Sequence, residues 1–492
     1  MAFNHILKKT LDATLKLVEL SDVDDSNEKE SVSLLKKPQT KPTTAQKAGR
    51  DEPFIKINGY SVLNIDSLVI DETDFVPKVH LVFVDAAGEF NGTAFPKTNM
   101  IMSVYVKTSN SKFLPLRQDF LITSIRSMAP SRGGTDMGST GVEYAVKGEL
   151  FVPRLYNNVS KSYPNLTSRD ALFKVAEELK IGFAENTVAP TDTMTWINFN
   201  TSPANFIKDV ASHAYQDVDS FFTAFISKEY CLCYVNVNEQ MIPGESDQTF
   251  VNYTNAAAVD LNSQAKFDDE SGTVLNFLST LSSSKGKPNY IMEMTLISDQ
   301  GQILKSNGYK KKVYYYDQSL TSEPSEKFID YFVAPTNTVG LPEDQILLPE
   351  PEGLSDIGLK KWMNIEYGNT HSKWNHARVT NDVNLKELEK IQMKITLDGI
   401  NFQIIRGSVI PLVISQRVAQ QVRKEFSKEN YEEVLDQNES PENETPDKQL
   451  SGKYWVKAAK YHFDGSTKKF QTELFLARRE WVPSKKIETP NV

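Results

Sequence analysis

The sequence predicts a mainly β chain in which two antiparallel β-barrel domains flank or enclose a small α/β module. Three observations carry that expectation. From Phe54 to about Phe151 strand follows strand, with a period of two explicit from Met100 to Lys107, and the alternation returns from Ile391 to Asp398 and from Phe470 to Leu476, which puts one face of those strands in a core. Between these regions, from Thr167 to Ala214, the apolar period lengthens to that of a helix. Only two cysteines occur in 492 residues, so burial and hydrogen bonds rather than a disulfide framework must hold the fold.

Residues 1–52 read as a leading helix and a flexible tether. Leu7, Leu11, Leu15 and Val18 fall on one helical face. That face either docks on a partner or neighbouring subunit, or belongs to a frayed extension. No apolar run followed by small residues marks a signal peptide, and no stretch approaches the ~18 apolar residues of a membrane span. Residues 21–52 are dominated by Lys, Glu, Ser, Thr and Pro, the composition of a tether.

The first β-barrel domain is expected over 53–155. Met100, Met102, Val104 and Val106 alternate with Ile101, Ser103, Tyr105 and Lys107. Leu81 to Val84 is apolar on both faces, as in a central strand, and the glycine-rich loop from Gly133 to Gly141 separates later strands. The α/β module and its hairpin occupy 156–240. Thr167 with Asp170 is a capping-box-like start; Leu172, Val175, Ala176 and Leu179 mark the helical face, ending near Gly182. Ser202-Pro203 begins a second helix with the stripe Ile207, Val210, Ala211 and Ala214. Ser220 to Ile226 and Tyr230 to Val237 read as a hairpin.

Residues 241–360 read as a β-rich connecting domain with long loops: two strands within 290–317, then a Pro- and Glu-rich loop region to about Gly353. The second β-barrel domain is expected over 361–482. Ile391, Met393, Ile395 and Leu397 form one strand, Asp398-Gly399 is a favoured turn pair, and Ile400, Phe402 and Ile404 form the return strand. Phe470, Thr472, Leu474 and Leu476 mark a strand near the end. An acidic insertion at 427–449 carries Glu432, Glu433, Glu439, Glu442 and Glu444, and residues 483–492 form a tail.

The charge balance, 55 basic against 64 acidic side chains and a net charge of -9, argues against a dedicated nucleic-acid binder. Cys231 and Cys233 point to one face of a strand, where they cannot bridge each other and lack further ligands for a metal; they read as buried thiols. Asp217-Val218-Asp219 has the form of a metal-holding DxD, but it sits where a helix gives way to a strand and reads as a solvated turn. His371, Trp374 and His376 have neither the i,i+4 spacing of a helical zinc pair nor a third ligand, and read as packed or surface residues. Lys310, Lys311 and Lys312 before Tyr314, Tyr315 and Tyr316 have the look of a nucleic-acid patch, yet on a strand they split between faces. An edge strand guarded by lysines is the expectation. No catalytic, cofactor-binding or metal site is expected, and the chain reads as a non-enzymatic assembly subunit made in a cytoplasm.

A family resemblance arises in the middle module. The run Leu166-Thr167-Ser168-Arg169-Asp170-Ala171-Leu172, then Leu179 to Ala184, then Thr193-Met194-Thr195-Trp196-Ile197-Asn198, resembles the baseplate hub proteins of contractile phage tails. It continues through Asn205-Phe206-Ile207, Ala214-Tyr215, Asp219-Ser220-Phe221-Phe222 and Tyr234 to Asn238. Thr370-His371 with the preceding Gly368-Asn369, Arg406-Gly407, and Leu476 to Trp481 are similar to the same group. The resemblance, scattered over 160–480, implies a fold related to the T-even phage hub and to the base of VgrG spike proteins. It implies a homotrimer whose chains each carry two hub barrels, forming a ring between a six-fold tail tube and a three-fold central spike. The implied partners are the tail tube protein, the central spike or tail lysozyme protein and other baseplate proteins. It also implies that DNA passes through the channel without specific binding, that there is no membrane anchor, and that the location is the virion tail baseplate, assembled in the host cytoplasm. The alternative reading is a tail-associated cell-wall hydrolase, or a spike or carbohydrate-binding component. The leading segment 1–52 and the insertion 427–449 depart from the family pattern.

Overall fold

The computed structural model describes residues 52–86, 88–90, 94–107, 116–128, 141–186, 190–241, 278–280, 290–298, 311–317, 328–333, 361–366, 370–388, 391–400, 404, 406–415, 447 and 450–478. The leading helix and tether, Gly133-Gly134, Lys310, most of the acidic insertion and the C-terminal tail lie outside them.

The N-terminal β region is antiparallel throughout. It comprises β1 (Glu52–Ile57), β2 (Tyr60–Ser61), β3 (Ile65–Asp71), β4 (Lys78–Asp85), β5 (Ile101–Lys107), β6 (Leu116–Met128) and β7 (Val142–Leu150), in the order β3-β4-β7-β6-β5-β1-β2. The expected alternation is present in β5, where Met102, Val104 and Val106 are buried. In β4, Val82 and Val84 are half-buried while Val79, Leu81 and Phe83 are buried. Each such side chain contributes roughly 2 kcal/mol on leaving water. β4 is central, between β3 and β7. Asn58 and Gly59 both take positive φ (49° and 85°), the requirement of the two-residue turn between β1 and β2.

The module follows as β8 (Val159–Leu166), α1 (Ser168–Leu179), β9 (Gly182–Glu185), β10 (Met194–Thr201), α2 (Pro203–Ser212), β11 (Phe222–Ile226), β12 (Cys231–Asn236) and α3 (Val237–Met241). Both predicted helix starts are present: Thr167 accepts from the Asp170 amide and Ser202 from that of Asn205. The end of α1 differs from expectation. Lys180, not Gly182, takes the left-handed cap at φ 56°, and Gly182 opens β9, donating to the Tyr230 carbonyl. β11 and β12 form the expected hairpin, and β9 joins β12 in parallel.

Then come β13 (Leu278–Ser279), β14 (Ile291–Ser298), β15 (Lys311–Asp317), β16 (Phe328–Val333), β17 (Lys361–Glu366), α4 (Trp374–Glu387), β18 (Ile391–Asp398), β19 (Val409–Val413), β20 (Gly452–Asp464) and β21 (Lys469–Ala477). The expected return strand of Ile400, Phe402 and Ile404 falls largely outside the described residues, while both edges of β18 are paired along their length, with β14 and β21. Two expectations need correction. β15 is no edge: it lies between β16 and β17. β16 falls inside the region read as loop, and α4 was not foreseen at all.

The two β regions meet in one thirteen-stranded curled sheet. The splice is β20. One of its edges pairs with β21, with a bulge between Val456 and Ala458. The other edge is shared: Gly452 to Trp455 pair with β19, and Lys460 to Asp464 pair with β3. Where the partner changes, β19 and β3 diverge and leave a fork.

Candidate functional site

The fork is where the three parts of the chain meet, and it is filled by charge. Glu72 follows β3 directly, and its amide donates to the Ala459 carbonyl across the seam. On the opposite side, the Gly407 amide donates to the Val456 carbonyl, and Gly407 has φ 84° with the Phe225 ring where a Cβ would stand. Into this space the β11–β12 turn inserts Lys228, only 2% exposed. Its Nζ lies 3.4 Å from Glu72 Oε1 and 3.3 Å from Glu229 Oε1, donates to the Ile404 carbonyl at 3.3 Å, and stands 5.5 Å over the Tyr461 ring. Gln118 of β6 donates to the Lys228 carbonyl at 2.8 Å. Arg406 reaches the Asp74 carbonyl and stacks 4.4 Å over Phe225.

Burial sets the electrostatics. It pushes Glu72 up to about 7, against the opposing pull of Lys228 and Arg406 and with the help of Glu229. Burial alone would lower Lys228, but Glu229 and Glu72 hold it well above its ordinary value. The ion-pair geometry and the raised carboxyl point in different directions for Glu72; its burial, nearly complete, outweighs a 3.4 Å contact outside hydrogen-bond geometry.

Helix α4 forms a second clasp on the module. Asn381, buried, accepts from the Phe222 amide at 2.8 Å. Its amide nitrogen donates to the carbonyls of Ala211 (3.3 Å), Ser212 (2.8 Å) and Ala214 (3.4 Å). One side chain thus caps the end of α2 and holds the start of β11. Beside it, Trp374 stacks on His213 at 3.7 Å between ring centroids and tilts against Trp196 at 5.6 Å. His371 Nε2 donates to the His213 carbonyl at 2.9 Å, and burial lowers its pKa, keeping it neutral. Asp192 accepts from the amides of Ser168 (2.9 Å) and Tyr215 (3.0 Å).

The remaining sequence candidates are structural where the structure describes them. Cys231 and Cys233 are free and buried on one face of β12, and the Cys233 thiol is pushed well above its ordinary value by its hydrogen bond with Cys231 and by burial. Asp217 Oδ1 accepts from the Asp219 amide (2.9 Å), the Ser220 amide (2.8 Å) and the Ser220 hydroxyl (2.7 Å), the hydrogen bonds of a turn. His376 faces Thr380 Oγ1 at 3.3 Å. Among the described residues there is no group of three or more metal-ligating side chains and no helix long and apolar enough to cross a membrane. Lys228 and Asn381 were missed from sequence. A lysine in a hairpin turn and an asparagine in a helix are ordinary there, and only their long-range partners make them unusual.

The scattered blocks of the resemblance converge here. Trp196, Ala214, Phe222 and His371 meet around α4, and Arg406-Gly407 closes on the β11–β12 hairpin. No protein-family model and no curated protein sequence matches the chain. Among solved structures, it is similar to a tail protein from Neisseria meningitidis MC58, with 11% identity over 87% of this chain and 97% of that one, at a TM-score of 0.46. The 43 kDa tail protein of prophage MuSo2 from Shewanella oneidensis gives 9% identity, 87% and 98% coverage and a TM-score of 0.46. A type VI secretion component from E. coli, described as similar in structure to T4 tail proteins, gives 8% identity, 87% and 79% coverage and a TM-score of 0.38. The solved structures named here are thus two tail proteins and one type VI secretion component.

Proposed function

We propose that the chain is a non-enzymatic structural subunit of a contractile tail baseplate, and within it the hub. Three copies form a ring that joins the six-fold tail tube to the three-fold spike and leaves a channel for DNA. The observation that carries this reading is the splice at β20. It binds two antiparallel β regions of one chain into a single sheet, so each copy presents two β surfaces at a fixed relative position. Three such copies offer six surfaces to one partner and three-fold symmetry to the other. The gathering of the family-like blocks at the junction agrees with it. A net charge of -9 suits a passage that phosphate must traverse without sticking.

The test is the solution mass of the full chain, alone and with tail tube protein. A species near three times 55.5 kDa, alone or on adding tube protein, supports the hub. A chain that stays monomeric with tube protein present overturns it. Clearing of cell-wall material by the pure protein would overturn the non-enzymatic part.

A further inference from the structure

Among the described residues, strands β8 and β10 pair only with each other. One face of this ribbon is anchored: Trp196 is buried, its Nε1 donating to the Leu166 carbonyl at 2.9 Å, and Tyr163 stacks on Phe206. The far half is bare. Val159, Ser160, Lys161 and Ser162 are all exposed. On the outer face Ile197 is 55% exposed and Phe199 80%, more than any other large apolar side chain among the described residues. The backbone that presents Phe199 is built for it. Between the pairs Asn198–Lys161 and Thr201–Val159 the register slips, so Phe199 and Asn200 together face Ser160, which is a bulge. Buried Asn198 pins the bulge, its Oδ1 accepting from the Thr201 amide at 3.2 Å and the Thr201 hydroxyl at 2.6 Å. Asn200 takes φ 51°, and its amide donates to Ser160 Oγ at 3.2 Å. Bulges re-aim side chains, and this one aims a bare phenyl ring at solvent. We infer that the ribbon is a docking arm, whose Ile197 and Phe199 seat in an apolar recess on a second copy of this chain.

Charge and area select the occupant. β10 has no charged residue, and β8 has only Lys161. Lys161 stands opposite Asn198, ion-paired with Glu178 of α1 and 5.4 Å from the Tyr163 ring centroid, on the anchored side. Ile197 and Phe199 are flanked by Ser162 and Ser160 instead. Such a face offers no cation to a nucleic acid or an anionic lipid. Copies of a chain with a net charge of -9 repel one another, and they meet at least cost where the surface is uncharged. A basic partner would be drawn to carboxylates elsewhere. Ile197, Phe199 and Val159 together expose on the order of 300 Å², well short of the roughly 800 Å² per partner of a stable two-body contact. A contact of this size holds when it recurs around a closed ring, each copy donating one arm and receiving another. The inference therefore rests on the three-copy reading proposed above and supplies it with a contact.

Two measurements on the full chain test the arm, alone and with tail tube protein. In the first, p-benzoylphenylalanine replaces Phe199, and isotopically heavy and light chains are mixed before irradiation. Cross-links joining heavy to light peptides are expected. Cross-links confined to one chain, or made to tube protein, overturn the arm. In the second, light scattering follows assembly against concentration. Phe199→Ser should raise the concentration of half-assembly at least about thirtyfold, because each copy loses one buried ring. Phe199→Leu, which keeps an apolar knob, should assemble within about fivefold of the natural chain. The thermal midpoint should be the same in both variants when each is monomeric, since the ring is exposed in the single chain. Phe199→Ser assembling like the natural chain overturns the arm. The two readings fail differently. A natural chain that stays monomeric with tube protein present overturns the hub and the arm with it, whereas a trimer unaffected by Phe199→Ser overturns the arm alone.

Discussion

Replacing Asn381 with alanine should release the module from helix α4. The substitution removes four hydrogen bonds, two of them at 2.8 Å, to the Phe222 amide and the Ser212 carbonyl. The Phe222 amide is then a buried donor without an acceptor, costing ~2 kcal/mol, and the loss of the Ser212 contact adds ~1 kcal/mol. The longer bonds to Ala211 and Ala214 contribute little at their distances. A total of about 3 kcal/mol corresponds to roughly a 150-fold increase in local opening. Hydrogen exchange of peptides spanning 203–226 in the full chain reads this directly, without requiring that so large a protein unfold in two states. Asn381→Asp sharpens the test. It keeps an acceptor for Phe222 but turns a second carboxylate oxygen toward three carbonyls, so it should open the module at least as much as alanine. An alanine effect below about fivefold, or an aspartate variant as protected as the natural chain, would refute the reasoning.

Other consequences are as direct. A Cβ on Gly465 would stand 2.0 Å from the Ile65 carbonyl and 2.7 Å from that of Asp66; Gly465→Ala should cost about 3 kcal/mol by prising β3 from β20, seen as a lower thermal midpoint with lost exchange protection in 65–71. Native Cys231 and Cys233 should resist iodoacetamide, whereas the unfolded chain should take up both equivalents; rapid native labelling would mean that β12 opens readily. Asp217→Ala should cost about 1 kcal/mol through its turn, and manganese should leave the thermal midpoint of the natural chain unchanged. Trp374→Ala, which removes the ring stacked on His213, should cost about 3 kcal/mol in thermal or urea unfolding.

What was legible in the sequence was what is local. Thr167 and Ser202 announce their helices because a cap is settled within three residues. Met102, Val104 and Val106 announce a buried face because alternation is a property of the strand itself. Partner choice is not local. Asp398-Gly399 does turn, with φ 81° at Gly399, but β14 and β21 had already taken the edges that a simple hairpin would use. Helix α4 escaped notice because its buried side includes Asn375, Thr380, Asn381 and Asn384, so an apolar period is nearly absent. The same holds for the fork. Lys228 is unremarkable in a turn, and its role appears only when Glu72, Ile404 and Tyr461 arrive from distant stretches.

The sharing of β20 between β19 and β3 also constrains how the chain is made. During synthesis the strand that covers the outer edge of β3 emerges only after the whole module. Until then the N-terminal β region carries an open row of amides and carbonyls from Ser67 to Asp71, an invitation to pair with another nascent chain. Closure of that edge is among the most sequence-distant events in the molecule and so among the slowest. Premature termination anywhere before residue 460 leaves the edge bare, which makes truncated products of this chain the ones expected to aggregate.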